Sequence, residues 1–262
     1  MSGCARSASL TDAAPPHSSV PPARHFDRVD TRVFDLANTL YPHEAQVWPQ
    51  IDLRITVYIM DLFGLDGLSA RALQKFFYHQ HGTTLRALMD QYGVDPTDYM
   101  DFCHDIDHSA IELNPLLGAA IERLPGRKLI LTNGSARHAQ SIAMKLGIFD
   151  HFEDVFDIAA ADYVPKPDRR TYERFLDRHG VDPTRAALFE DISANLLVPH
   201  QLGMTTCLVV PKTPDPFRDA IEQAVIVAPH VDHVTSDLAG FLEQCLRAAS
   251  EGAEPAPRAA TR

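Results

Sequence analysis

Paired cysteines are missing from this 262-residue chain: its four, Cys4, Cys103, Cys207 and Cys245, stand far apart. That spacing excludes a disulfide-stapled scaffold and a cysteine-based zinc module, and it suits a reducing compartment. A cytoplasmic location is therefore expected. No run approaches the ~18 uninterrupted apolar residues of a membrane-spanning helix. The N-terminal segment has no apolar stretch of the kind a secretory signal needs. Its arginines and serines hint at a transit peptide, but Asp12 and the prolines around it argue for a disordered arm. Basic residues are also in short supply, with 24 Lys and Arg against 35 Asp and Glu and a formal net charge of −11. A broad nucleic-acid or anionic-membrane surface requires the opposite balance, so neither partner is expected. No segment repeats itself, and the sequence gives no sign of oligomeric state.

What is present is ordinary globular composition, 45% apolar and 23% charged, on a chain long enough to bury a sizeable core. Short β-rich runs stand before turn residues at Arg32–Leu36, Lys128–Thr132, Val155–Ala159, Ala187–Glu190 and Thr206–Val210. Helical patterns separate the later ones, at Ala136–Leu146, Arg169–Arg178 and Ala194–Leu202. Strand alternating with helix predicts an α/β fold, a Rossmann-like parallel sheet with helices on both faces. One interval breaks the alternation. Between the first and second strands, Trp48, Ile51, Ile55, Tyr58, Ile59 and Leu62 recur at helical spacing, as do Leu73, Phe76 and Phe77. Residues 43–114 are read as an all-helical cap inserted after the first strand. The expected organisation is a disordered arm over 1–28, a core over 29–42 and 115–247, the cap, and a disordered Ala/Pro/Glu-rich tail over 248–262. Ligands of open α/β sheets sit beyond the carboxyl ends of the strands, where such a cap would close the site.

Polar residues gather at those ends. Asp35 stands where the first strand opens into a loop. Thr132, Asn133 and Gly134 follow the second strand, offering a hydroxyl, an amide and a free backbone to an anion. Lys166 is fixed between Pro165 and Pro167, which limits its backbone freedom. Glu190 and Asp191 end the fourth strand. Converging carboxylates call for a cation, and an all-oxygen set favours Mg²⁺. With a lysine and a hydroxyl added, the set suits a phosphoryl group, and a spare carboxylate can attack phosphorus.

The order of these motifs resembles the haloacid dehalogenase-like hydrolase superfamily across the whole folded part. Within it, Phe34 to Pro42 is similar to the first motif of the pyrimidine 5′-nucleotidase-like branch. The runs 131–134, 165–167 and 189–195 match the other three motifs. The resemblance implies that Asp35 is the nucleophile and a metal ligand, that Thr132 binds the phosphoryl group with help from Asn133 and Gly134, and that Lys166 neutralises charge. It implies Asp191 and Glu190 as Mg²⁺ ligands, with Ala37 giving its backbone carbonyl. The substrate would be a small phosphorylated metabolite, such as a pyrimidine 5′-nucleotide. One departure matters. The family carries a second aspartate at position 37, which protonates the leaving oxygen and activates water. Alanine does neither, so turnover is expected to fall, general acid–base help being worth ~10²–10⁴ in rate. Two other readings follow: a protein that binds without turning over, or carbon–phosphorus cleavage through a Schiff base on Lys75, the sole cap lysine. Haloacid dehalogenation is disfavoured by the phosphatase-type motifs.

Other residues receive plainer readings. His104 and His108 lie one helical turn apart with no third metal ligand at suitable spacing. The pair His79 and His81 reads as a helix end before Gly82. Trp48 and the Phe76-Phe77-Tyr78 run read as cap core. His43 and Glu44, just past the first motif, are candidates to replace the missing acid.

Overall fold

A computed structural model describes residues 26–213 and 228–251. The proposed arm up to residue 25, the tail beyond 251, and Cys4 lie outside them. Six parallel strands form one sheet in the order β3-β2-β1-β4-β5-β6. They are β1 (Thr31–Phe34), β2 (Arg127–Leu131), β3 (Asp154–Phe156), β4 (Ala186–Glu190), β5 (Thr205–Val209) and β6 (His233–Thr235). The predicted α/β class stands. Each of the first three strands ends earlier than its apolar run, because the last residues leave the ladder to form the loops at the sheet's carboxyl edge. The sixth strand was not predicted. Its three residues are only partly buried or exposed and carry no apolar run.

Central strands are covered on both faces, so they read as continuous apolar runs. Alternation still sorts their side chains. Phe34, Ile130 and Phe189 point into one core with Leu117, Ile121 and Ile142. Val33, Leu129 and Leu188 point into the other, with Tyr172 and Phe175. Phe34 stacks on Phe189 with ring centroids 4.7 Å apart, tying β1 to β4.

Between β1 and β2 the chain forms α1 (Val47–Phe63), α2 (Gly67–His81), α3 (Thr84–Tyr92), α4 (Pro96–Cys103) and α5 (Pro115–Arg123). Caps explain their ends. Asp66 accepts from the Leu68 and Ser69 N–H groups at the start of α2, and Gly82 closes that helix at φ +80°, satisfying termini that would otherwise lack partners. Asp95 with Pro96 starts α4 in the same way. Ile55, Ile59, Ala70, Phe77 and Leu88 form the interior of this layer. The Phe76-Phe77-Tyr78 run does not all pack there. Neighbouring helical residues point about 100° apart, so Phe77 is buried while Phe76 is 56% exposed. After β2 come α6 (Ala136–Leu146), α7 (Arg169–His179), α8 (Ser193–Leu202) and α9 (Leu238–Glu251).

Candidate active site

The register of the two central strands assembles the acidic cluster. Phe34 pairs with Phe189, so Asp35 and Glu190, one residue on, lie side by side. The Asp35 N–H donates to the Phe189 carbonyl at 2.9 Å. Asp191 follows directly. Carboxylate oxygens of Asp35, Glu190 and Asp191 all lie within 4.8 Å of one another, and all three residues are buried. Lys166 Nζ donates to Asp35 Oδ1 at 2.7 Å, Glu190 Oε2 at 2.6 Å and the Leu131 carbonyl at 3.1 Å, using all three of its protons. Burial alone would lower the lysine's pKa. The two carboxylates outweigh it and hold the ammonium above its ordinary range.

One ammonium does not balance three carboxylates. Burial, followed by the neighbouring Glu190, pushes Asp35 up to about 7 against the opposing pull of Lys166. The site is short of positive charge, is built of oxygen donors, and holds those donors close together. That is the environment of a hard divalent cation, so the residues fit the predicted Mg²⁺. Among the described residues, no other set of three His, Cys, Asp or Glu side chains comes within that range.

Beside the cluster, the β2 loop forms a second wall. Gly134 N–H donates to Thr132 Oγ1 at 3.0 Å. Asn133 lines the cavity and also braces the lysine loop. Its Oδ1 accepts the Lys166 N–H at 2.9 Å and its Nδ2 donates to the Lys166 carbonyl at 3.3 Å. The amide is thus committed to holding the lysine loop.

A cavity of about 420 Å³ rises from these groups into the helical layer. Asp35, Ala37, Thr132, Lys166, Glu190 and Asp191 line one end, while Trp48, Ile51, Ile55, Tyr78, Tyr99 and Met100 line the other. Trp48 packs against the core as expected and also forms part of the cavity wall, as does Tyr78. The Ala37 side chain brings no polar group to the cavity. His43 and Glu44 do not compensate for it: they pair with each other at 3.2 Å, Glu44 also accepts from Thr213, and neither lines the cavity.

Three features in and around the cavity escaped the sequence. Asp52 of α1 and Gln74 of α2 meet at 2.8 Å, with Arg71 paired to the same carboxylate and Thr56 donating to the amide oxygen. Residues 22 positions apart carry no local pattern. Tyr41 is buried, its hydroxyl has no hydrogen-bond partner among the described residues, and its pKa is raised by burial and then by Asp35 and Asp191. Finally, His138 of α6 joins His104 and His108. It stacks on His104 at 4.3 Å and lies 5.4 Å from His108. Burial, with the neighbouring histidines, lowers His104 to about 4 and His138 to about 2.

Residues 29–203 match the haloacid dehalogenase-like hydrolase family. The chain belongs to that family of hydrolases. The L-2-haloacid dehalogenase PA0810 is 16% identical, with 82% of this chain and 99% of that chain covered at a TM-score of 0.53. An L-2-haloacid dehalogenase from Xanthobacter autotrophicus is 17% identical, covering 82% and 97% at 0.48. The HAD-hydrolase YfnB from Bacillus subtilis, solved bound to magnesium, is 16% identical, covering 85% and 99% at 0.49. The likeness to PA0810 shows the shared fold. No described helix is long and apolar enough to cross a membrane.

Proposed function

We propose that this hydrolase transfers a phosphoryl group from a small phosphorylated metabolite to Asp35. The carrying observation is the pairing of three buried carboxylates and one lysine with the Thr132–Gly134 loop across a single cavity. Asp35, Glu190, Asp191 and the carbonyl of Ala37 would hold Mg²⁺. That ion would supply the positive charge needed against the phosphoryl oxygens. Asp35 attacks phosphorus and forms an aspartyl-phosphate as the ester bond breaks. Lys166 keeps the attacking carboxylate oriented and neutralises charge beside it. Thr132 and the N–H groups after it receive the phosphoryl oxygens. Residues 43–114 act as a cap over the core at 29–42 and 115–247, excluding water. The aromatic walls fit a leaving group with a flat ring, for which a pyrimidine 5′-nucleotide is our candidate. Slow turnover follows from Ala37, and we assign the protein to the cytoplasm.

The test is phosphate release from a panel of phosphomonoesters, pyrimidine nucleotides included, with Mg²⁺. Ala37→Asp should raise turnover. If neither protein releases phosphate and neither binds a phosphate analogue such as vanadate, the proposal fails.

A second reading is favoured by one observation. Lys75, the cap's sole lysine, lines the same cavity as Asp35 and Ala37, with its Nζ 5.9 Å from the Tyr78 ring centroid. Carbon–phosphorus cleavage through an imine on Lys75 would need no acid at 37. Borohydride treatment with a phosphonoaldehyde would trap that adduct, and absence of any adduct would remove this reading.

A further inference from the structure

We infer that His104 takes the proton of the hydrolytic water in place of the group missing at position 37. The inference rests on the phosphoryl-transfer reading above. Once Asp35 carries the phosphoryl group, a water must lose a proton as it attacks phosphorus. Ala37 offers no base. Among the cavity's other titratable groups, Asp52 is tied to Arg71 and Gln74. The Cys103 thiol is pushed up to about 12 by burial.

His104 is differently placed. It lines the cavity from the end of α4, and its ring abuts the phosphoryl loop. A Cβ added to Gly134 would lie 3.3 Å from Thr132 Oγ1 and 3.8 Å from His104 Cε1. The ring is fixed on two sides. Its Nδ1 lies 2.9 Å from Ser135 Oγ, and its face stacks at 11° on buried His138. Ser135 also caps α6, accepting the His138 N–H at 3.3 Å. Ser135 Oγ can accept a proton from Nδ1, and in that tautomer Nε2 carries the lone pair; Nε2 makes no hydrogen bond among the described residues. The groups around the ring are His138 on α6, His108 on the loop after α4, and Asp101 on α4 itself. Burial and His108 lower the His104 pKa to about 4, so the ring is neutral at pH 7.

The step balances. A water O–H bond breaks and its proton passes to His104 Nε2. The water oxygen bonds to phosphorus while the P–O bond to Asp35 breaks, releasing inorganic phosphate and restoring the carboxylate. The proton then leaves to solvent through the cavity. In the preceding step no acid at 37 protonates the leaving oxygen, which favours esters of acidic alcohols such as nitrophenol, whose oxygen departs as the anion.

Rapid mixing with p-nitrophenyl phosphate and Mg²⁺ separates the two steps. The parent should give a burst of about one nitrophenolate per site followed by a slower steady rate. His104→Gln should keep the burst and lose about tenfold or more of the steady rate. Added imidazole should restore part of that loss in His104→Gly. In an Ala37→Asp background, removing His104 should change the steady rate by less than about threefold, because the carboxylate takes over the proton. Equal loss of burst and steady rate in His104→Gln, or no change in either, would overturn the inference. If Ala37→Asp and the parent both fail to release nitrophenolate, the phosphoryl-transfer reading itself is refuted.

Discussion

Replacing Lys166 with methionine tests the electrostatics of the site through stability. In the parent, Nζ lies 2.7 Å from Asp35 and 2.6 Å from Glu190, and none of the three side chains is more than 7% exposed. Methionine keeps roughly the same volume but leaves the carboxylates facing one another with no cation. Removing one partner of a buried ion pair costs about 3–5 kcal/mol. The loss must depend on pH. Asp35 is already pushed up to about 7 by burial and Glu190. A carboxyl whose folded pKa is raised gives stability that is full below its unfolded pKa and is lost as pH rises through the folded one. Without the lysine this loss extends to higher pH, so the variant's deficit should widen between about pH 5 and pH 8. Added Mg²⁺ should recover part of it, about 2.7 kcal/mol at a hundredfold excess over Kd. Urea denaturation at both pH values, with and without Mg²⁺, measures each quantity. A deficit under about 1 kcal/mol at pH 8 without Mg²⁺, or one that narrows as pH rises, would refute the reasoning.

Three further outcomes follow. Asp191→Asn should weaken Mg²⁺ binding about tenfold or more by calorimetry, since it removes a charged ligand from an all-oxygen set; unchanged affinity would place the ion elsewhere. His104, held at about 4 by burial rather than at 6.5, gives stability that is present above about pH 6.5 and fades as pH falls toward 4. That difference corresponds to roughly 3 kcal/mol, so acid unfolding curves of His104→Gln should be flatter across this window. Gly126→Ala should cost about 1–3 kcal/mol, because Gly126 sits at φ +79° and a Cβ there would collide with the Asp30 carbonyl. Thermal melting checks it.

The sheet was legible because each central strand is an apolar run that stops at a polar residue. Asp35, Glu190 and Asp191 were legible for the same reason, standing at the ends of strands that periodicity can find, whereas Lys166 lies in the loop well past β3 and is marked only by its flanking prolines. Strand ends were less so, since Asp35 keeps one backbone bond to Phe189 while already leaving the ladder. Contacts made by topology were invisible. His138 lies 34 positions after His104 on a core helix, and only the loop through Ser135 brings their rings together. Asp52 and Gln74 look like ordinary polar residues on two amphipathic helices. Asn133 carries a task its residue type did not announce: its amide braces the Lys166 backbone.

Under the proposed function, Asp35 accepts a phosphoryl group which Ala37 cannot help to release. Mass spectrometry of acid-quenched protein after incubation with p-nitrophenyl phosphate and Mg²⁺ addresses it directly. The account predicts a phosphoryl adduct on the peptide containing Asp35, abundant in the parent, diminished in Ala37→Asp and absent from Asp35→Asn. Absence of the adduct in both the parent and Ala37→Asp, or its presence on a residue other than Asp35, would contradict it.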